Sequence, residues 1–156
     1  MQAEPLLDWA DVGRQLLSFL GVFATAGAVG FRYSALRTRF AAAAPAEEPD
    51  IYQDAARRAA WIGAVGAVIR AVLFVVGLQD TAARRGVTVG EAFGAGGVGQ
   101  VLQVVALALL VGGFLLALRR VNAGWMLAAV GLALSALRGL ATGNWASIVN
   151  PVHMLA

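Results

Sequence analysis

The sequence predicts an all-α integral membrane protein, a four-transmembrane-helix bundle with both termini outside. Three observations carry this reading. Four apolar stretches, Val12–Phe31, Ala59–Leu78, Val101–Leu118 and Ala123–Ala141, are each long enough to cross a hydrocarbon core about 30 Å thick at about 1.5 Å per helical residue. The 156 residues are 60% hydrophobic and 13% charged, with a mean hydropathy of +0.74, a balance that would leave a soluble domain with too much exposed apolar surface. Each stretch also carries a stripe of small residues at helical spacing, the pattern by which helices pack when lipid removes the hydrophobic drive between them. The spans take roughly half of the chain, so residues 1–156 read as a single membrane domain joined by short loops.

The first span follows Glu4, Asp8 and Asp11 and precedes Arg32, Arg37 and Arg39. A secretory signal has the opposite order, with positive charge first, so this segment is expected to stay in the mature protein. Its small or polar face is Ser18, Gly21, Thr25, Ala28 and Arg32. In the loop that follows, Pro45 and Pro49 break the chain, and Asp50 is placed to cap a helix that continues into the second span. That span presents Gly63, Gly66, Arg70 and Gly77 on one face. The second loop holds Thr88-Val89-Gly90-Glu91, a capping box that predicts a short interfacial helix, and then a glycine run over 94–99 that reads as flexible loop. The third span presents Gly99, Gln103, Ala106, Gly113 and Ala117. A turn from Arg119 to Asn122 forces the third and fourth spans into a tight antiparallel hairpin. The fourth span answers with Gly124, Ala128, Gly131, Ser135, Arg138 and Thr142.

Every basic residue is Arg, and most lie at the ends of the apolar stretches. The pI near 10.6 therefore reflects topology and lipid head groups, with no nucleic acid as partner. Seven of these residues (Arg32, Arg37, Arg39, Arg57, Arg58, Arg119, Arg120) fall on the side of the first and third loops, and four (Arg14, Arg84, Arg85, Arg138) on the other. The positive-inside rule then puts both termini outside.

Arg70 is the least expected residue, because it lies eleven positions into the second span, at mid-membrane depth. Glycines share its face, so it should point into the bundle, with Gln103 as the nearest polar partner. Two roles stand open for it: holding an anion, such as a haem propionate, a lipid phosphate or the acid of a partner subunit, or bonding across helices to stabilise the bundle. Arg138, near the outer end of the fourth span, can reach the interface or pair with Asp80, Asp11 or Glu91. Arg70, Gln103 and Arg138 are thus the candidate cofactor-binding residues.

No Ser/His/Asp set, paired-histidine motif or phosphate loop is present, and there is no cysteine. The single histidine, His153, stands beside Met154, and imidazole with thioether is a donor pair that copper(I) accepts. These two are the candidate metal ligands.

The ending T-G-N-W-A-S-I-V-N-P-V-H-M-L-A resembles the approach to the central helix of the copper resistance protein D (CopD-like) family, which begins with His. The first span's Arg14, Gly21 and Gly27, at R-x6-G-x5-G spacing, and the Arg119-Arg120 turn are similar to that family's N-terminal half. The resemblance covers nearly all of this chain and half of a typical member with about eight spans. It implies that His153 is the helix-starting histidine, with copper as cargo at the outer face of a bacterial inner membrane. Where the family often has a histidine after the fourth span's glycine, this chain has Asn144 after Gly143. The last residue, Ala156, would stand four residues into the next helix, as in a truncated member or a shortened relative. The expected function is non-enzymatic copper transport or resistance. The alternative is a non-catalytic accessory subunit of a larger membrane complex, packing partner helices or binding lipid, pigment or haem supplied with its partners.

Overall fold

The structure is a computed structural model that describes residues 8–36 and 50–141, with side chains for all of these except 50, 51 and 138–141. It is all-helical over the described residues. Helix α1 is Trp9–Gly30, continued by a π-helical turn over Phe31–Ala35; α2 is Asp50–Arg85; α3 is the short Val89–Ala95; α4 is Gly97–Leu118; and α5 is Asn122–Ala141. The helices containing the first three apolar stretches are long and apolar enough to cross a membrane, and α5 adds a shorter apolar segment over Asn122–Leu137. The molecule is a helical membrane-embedded protein.

Local chemistry explains the helix ends. Asp8 caps α1 by accepting from the Ala10 amide at 2.9 Å. The predicted capping box is present: Thr88 Oγ1 accepts from the Glu91 amide at 3.2 Å, and Glu91 accepts from the Thr88 amide at 2.8 Å. The 36-residue α2 is about 54 Å long at 1.5 Å per residue, so it extends well beyond the predicted span 59–78. The glycine run is not the flexible loop expected from composition. Gly94 ends in α3 and Gly97 already begins α4, leaving Gly96 as the only residue between the two helices. A positive φ of 54° at Gly97 makes the sharp change of direction, which a side chain would resist.

The α2 and α4 helices end in the same way with different residues. After α2 the Gly86 amide donates to Ala83 and the Val87 amide to Ala82, with Gly86 at φ 65°. After α4 the Arg120 amide donates to Ala117 and the Val121 amide to Leu116, with Arg120 at φ 63°. Both are Schellman ends, and the second uses a left-handed arginine where glycine is the common choice.

The long helices run antiparallel to their chain neighbours. The closest partners are α4 with α5 and α1 with α2, while α2 also packs on α4 and α1 touches α5 more lightly. The expected small-residue packing is present in the α4–α5 hairpin. A Cβ on Gly113 would lie 2.5 Å from the Ala128 nitrogen, one on Gly124 2.5 Å from the Gly113 oxygen, and one on Gly131 2.8 Å from the Ala106 oxygen. The α1–α2 crossing is built on Gly21 and Gly66, whose added Cβ atoms would meet each other's carbonyl oxygens at 3.2 and 2.9 Å. Gly63 instead makes room for the ring of Phe114 on α4.

The buried core joins Ala28 and Val29 of α1, Ala60 and Ala64 of α2, Phe114 of α4 and Trp125 of α5. It therefore sits toward the end of the bundle where α1 finishes and α5 starts. At the opposite end packing is thin: no side chain of α1 before Gly21 and none of α2 between residues 68 and 81 is buried. Two expected packing residues fall in this thin half. Ser18 is exposed, and Gly77 has open space where its Cβ would be.

Candidate functional site

Three polar groupings stand along the bundle at different depths. Where α1 begins and α2 ends, Arg14 pairs with Asp80 across the helices and with Asp11 one turn back at 2.9 Å. Both members of the interhelical pair are half-exposed, so this contact is worth well under about 1 kcal/mol, screened by solvent. Its value is positional, since it sets α1 against α2 in antiparallel register.

At the other end, Arg32 in the π-helical turn donates to Asn122 Oδ1 at 3.3 Å and lies 5.9 Å from the ring centre of Trp125. Trp125 meets Phe114 edge to face, with ring centres 6.0 Å apart and planes at 86°. The wide π turn places Arg32 over the start of α5. The Ser34 hydroxyl donates to the Gly30 carbonyl at 2.6 Å within this turn. Arg119 and Arg120 lie in the turn that leads to Asn122, so this end gathers positive charge around a buried tryptophan.

Between these ends lies Arg70. Its position on α2 follows from the close approach at Gly66, one turn earlier. With no side chain at Gly66 or Gly21, the helices come together, and the aliphatic stem of Arg70 lies against Gly21, where an added Cβ would stand 2.8 Å from the Arg70 Cγ. The guanidinium is half-buried, and its Nη1 donates to Thr25 Oγ1 at 3.4 Å. Thr25 is completely buried, and its hydroxyl bonds back to the carbonyls of Gly21 at 2.9 Å and Val22 at 3.0 Å. The hydroxyl proton is thus used on its own helix, and the oxygen's lone pairs face Arg70.

Magnitudes show how incomplete this arrangement is. An arginine at the centre of a membrane helix costs about 2.5 to 3.5 kcal/mol by insertion scales. One long bond to a neutral hydroxyl between membrane helices returns about 0.6 kcal/mol. A guanidinium has five N–H donors, and Thr25 is its one hydrogen-bond acceptor among the described residues.

The expected inward position of Arg70 therefore takes a specific form: it lies in the α1–α2 seam against Thr25, and its bond is not to Gln103. Gln103 is 8% exposed on α4, among the residues that α4 buries against its neighbours. Of the acids expected to serve Arg138, Asp80 and Asp11 are engaged by Arg14, and Glu91 is engaged by Thr88. The backbone of Arg138 belongs to α5, and its side chain lies outside the described residues, as do His153 and Met154. No group of three or more His, Asp or Glu side chains able to hold a metal occurs among the described residues.

Sequence reasoning named Thr25 as a packing residue and missed it as the acceptor for Arg70. The signal was available, because it is the hydroxyl of the α1 stripe at the depth of Arg70. It also missed the Arg14–Asp80 pair, which follows once the first two spans are taken as antiparallel neighbours. The contact of Arg32 with Trp125 depends on the π-helical turn and had no local signal. No protein-family model, curated protein or solved structure matches this chain.

Proposed function

We propose that the chain is a non-catalytic protein of the bacterial inner membrane, with four spans and both termini outside, that moves or hands on copper as a CopD-like protein. The observation that carries this reading is the N-P-V-H-M ending after a fourth apolar helix, with His153 and Met154 as a soft donor pair. The architecture supports it in one respect. Helix α5 runs parallel to α2, so its last turn lies at the Arg14–Asp80 end of the bundle, the end that the Arg bias assigns to the outside. Copper reaching the membrane from outside would meet that end first.

One imidazole and one thioether are too few to hold copper(I) tightly, so further ligands must come from other residues. Copper(I) titration of this chain and of a longer form containing it, each with and without His153→Ala, tests the reading. Weak binding by the 156-residue chain and tight, His153-dependent binding by the longer form are expected. Binding that ignores His153→Ala ends the copper role. Phosphatase fusions at Ala44 and Ala95 test the orientation, with activity expected at Ala95 alone.

Arg70 favours a second reading, an accessory subunit of a larger membrane complex. A mid-span guanidinium with one neutral acceptor suits a contact completed by another molecule. Wild-type chain and Arg70→Leu, extracted from native membranes with their surrounding lipid, should differ in assembly mass while inserting equally. Wild-type particles of monomer mass would end this reading.

A further inference from the structure

The donors of Arg70 call for an acid at mid-membrane depth, and neither the described residues nor the bilayer supplies one there. The sequence holds nine Asp and Glu, at positions 4, 8, 11, 47, 48, 50, 54, 80 and 91, all outside the four apolar stretches. Asp80 is nearest along α2, yet it is ten residues and about 15 Å away and is held by Arg14. A second copy of the chain brings the same carboxylates at the same depths, so self-association does not complete the site. Lipid phosphates lie at the interface, about 15 Å from the middle of a 30 Å core, too far for a guanidinium anchored to α1 by Thr25.

There is also room beside it. Arg70 stands where the packed half of the bundle gives way to the thin half. Two turns along α2 on its own face, Gly77 has nothing within 4 Å of where its Cβ would be. Along the same half of the seam, α1 shows Leu17 and Ser18 exposed, and no α2 side chain between residues 68 and 81 is buried.

We infer that this half of the α1–α2 seam docks a membrane-spanning helix of another protein that carries an Asp or Glu at mid-span, and that the Arg70 guanidinium is the contact that recognises it. A carboxylate accepts two parallel N–H bonds from the guanidinium fork, so it supplies both the missing acceptors and the compensating charge. Thr25 holds one nitrogen of the fork against α1 and leaves the rest of the fork for the partner. This deepens the accessory-subunit reading, on which it rests, and is independent of copper.

The test uses the full chain in phosphatidylcholine vesicles with a fluorescent, designed Leu/Ala membrane-spanning helix carrying one central Glu. Energy transfer should show this helix binding roughly tenfold tighter than versions with central Gln or with Glu moved two turns off centre. Arg70→Leu should erase the difference. Arg70→Glu should reverse it, preferring a helix with central Arg, which keeps the inference testable if the Leu variant packs differently. Equal binding of the central-Glu and central-Gln helices overturns the inference, as does an undiminished Glu preference in Arg70→Leu. Displacement of the central-Glu helix by oleate at equimolar concentration would assign the site to a free carboxylate and overturn docking. A failed Glu helix beside a large native assembly would sink this inference alone, whereas monomeric native particles would sink the subunit reading itself.

Discussion

The two helix pairs of this bundle solve the same problem in different ways. The α4–α5 hairpin is joined backbone to backbone through Gly113, Gly124 and Gly131, along most of its length. The α1–α2 pair crosses closely only at Gly21 and Gly66, and then holds a hydroxyl, a guanidinium and an end-on ion pair. Apolar burial drives neither association, since lipid is as apolar as the side chains it touches. The first pair is therefore closed, with contacts that only glycine and alanine permit. The second is open along half its length and carries a charge that no described residue neutralises. A closed seam serves as scaffold, and an open seam with unsatisfied donors is where a partner or ligand can act.

The contrast breaks most readily in the scaffold. Gly112 and Gly113 are chain neighbours on α4, yet a Cβ on Gly113 would strike Ala128 and Gly124 backbone, whereas Gly112 has nothing within 4 Å. Gly113→Val should cost about 3 kcal/mol or unfold the hairpin, while Gly112→Ala should be neutral or slightly stabilising. Unfolding in detergent, followed by circular dichroism as denaturant rises, measures both. Equal effects at the two sites would show that the seam is not set by backbone approach.

The open seam should respond in the opposite direction. In the isolated chain, Arg70→Leu removes a mid-span charge and should raise stability by about 2 kcal/mol, while Thr25→Val should lower it by about 0.6 kcal/mol. A loss of stability in Arg70→Leu would mean that the guanidinium is satisfied within the fold, closing the difference between the two pairs.

The helix ends sharpen the comparison at smaller magnitude. Arg120 adopts φ 63° in the turn of the closed hairpin, and Gly86 adopts φ 65° at the end of α2. Arg120→Gly should stabilise by roughly 1 kcal/mol and Gly86→Ala should destabilise by a similar amount. If Arg120→Gly destabilises, that side chain makes a contact that outweighs its backbone strain.

The smallest effect concerns the link between the pairs. The Thr88 amide, and then its hydroxyl, bond the Glu91 carboxylate and lower its pKa from the ordinary value of 4.5. The depressed pKa means that the cap contributes fully above the unfolded value and is lost as pH falls through the lower, folded one. Protection of the Glu91 and Ala92 amides, relative to their intrinsic exchange at each pH, should therefore hold from neutral pH down to the ordinary carboxylate value of 4.5 and fall only below it, with Glu91→Gln removing that fall. A loss of protection already at pH 6 would contradict the capping box.

Much of this was legible along the chain, for reasons that particular residues make plain. Gly113, Gly124 and Gly131 recur at helical spacing, and an apolar helix has little use for glycine except close approach. Thr88 and Glu91 announce their cap because both partners lie within one turn. Gly77 looked identical to Gly66 in the same stripe, but one packs against α1 and the other faces open space. The glycine run over 94–99 read as loop because composition counts its glycines without knowing that one sharp turn at Gly97 is enough. His153 and Met154 remain a sequence reading.

The sequence by itself determined the solvent, the helical class and the small-residue faces, because hydropathy, helix period and residue size are local properties. It also marked Arg70 as out of place, because a charge at that depth is costly wherever it points. Only the tertiary structure decided that Arg70 meets Thr25 and not Gln103, that Arg14 takes Asp80, and that one seam closes while the other stays open. Those outcomes depend on which helices are neighbours and on where each crossing falls, and a shift of one turn would exchange every partner.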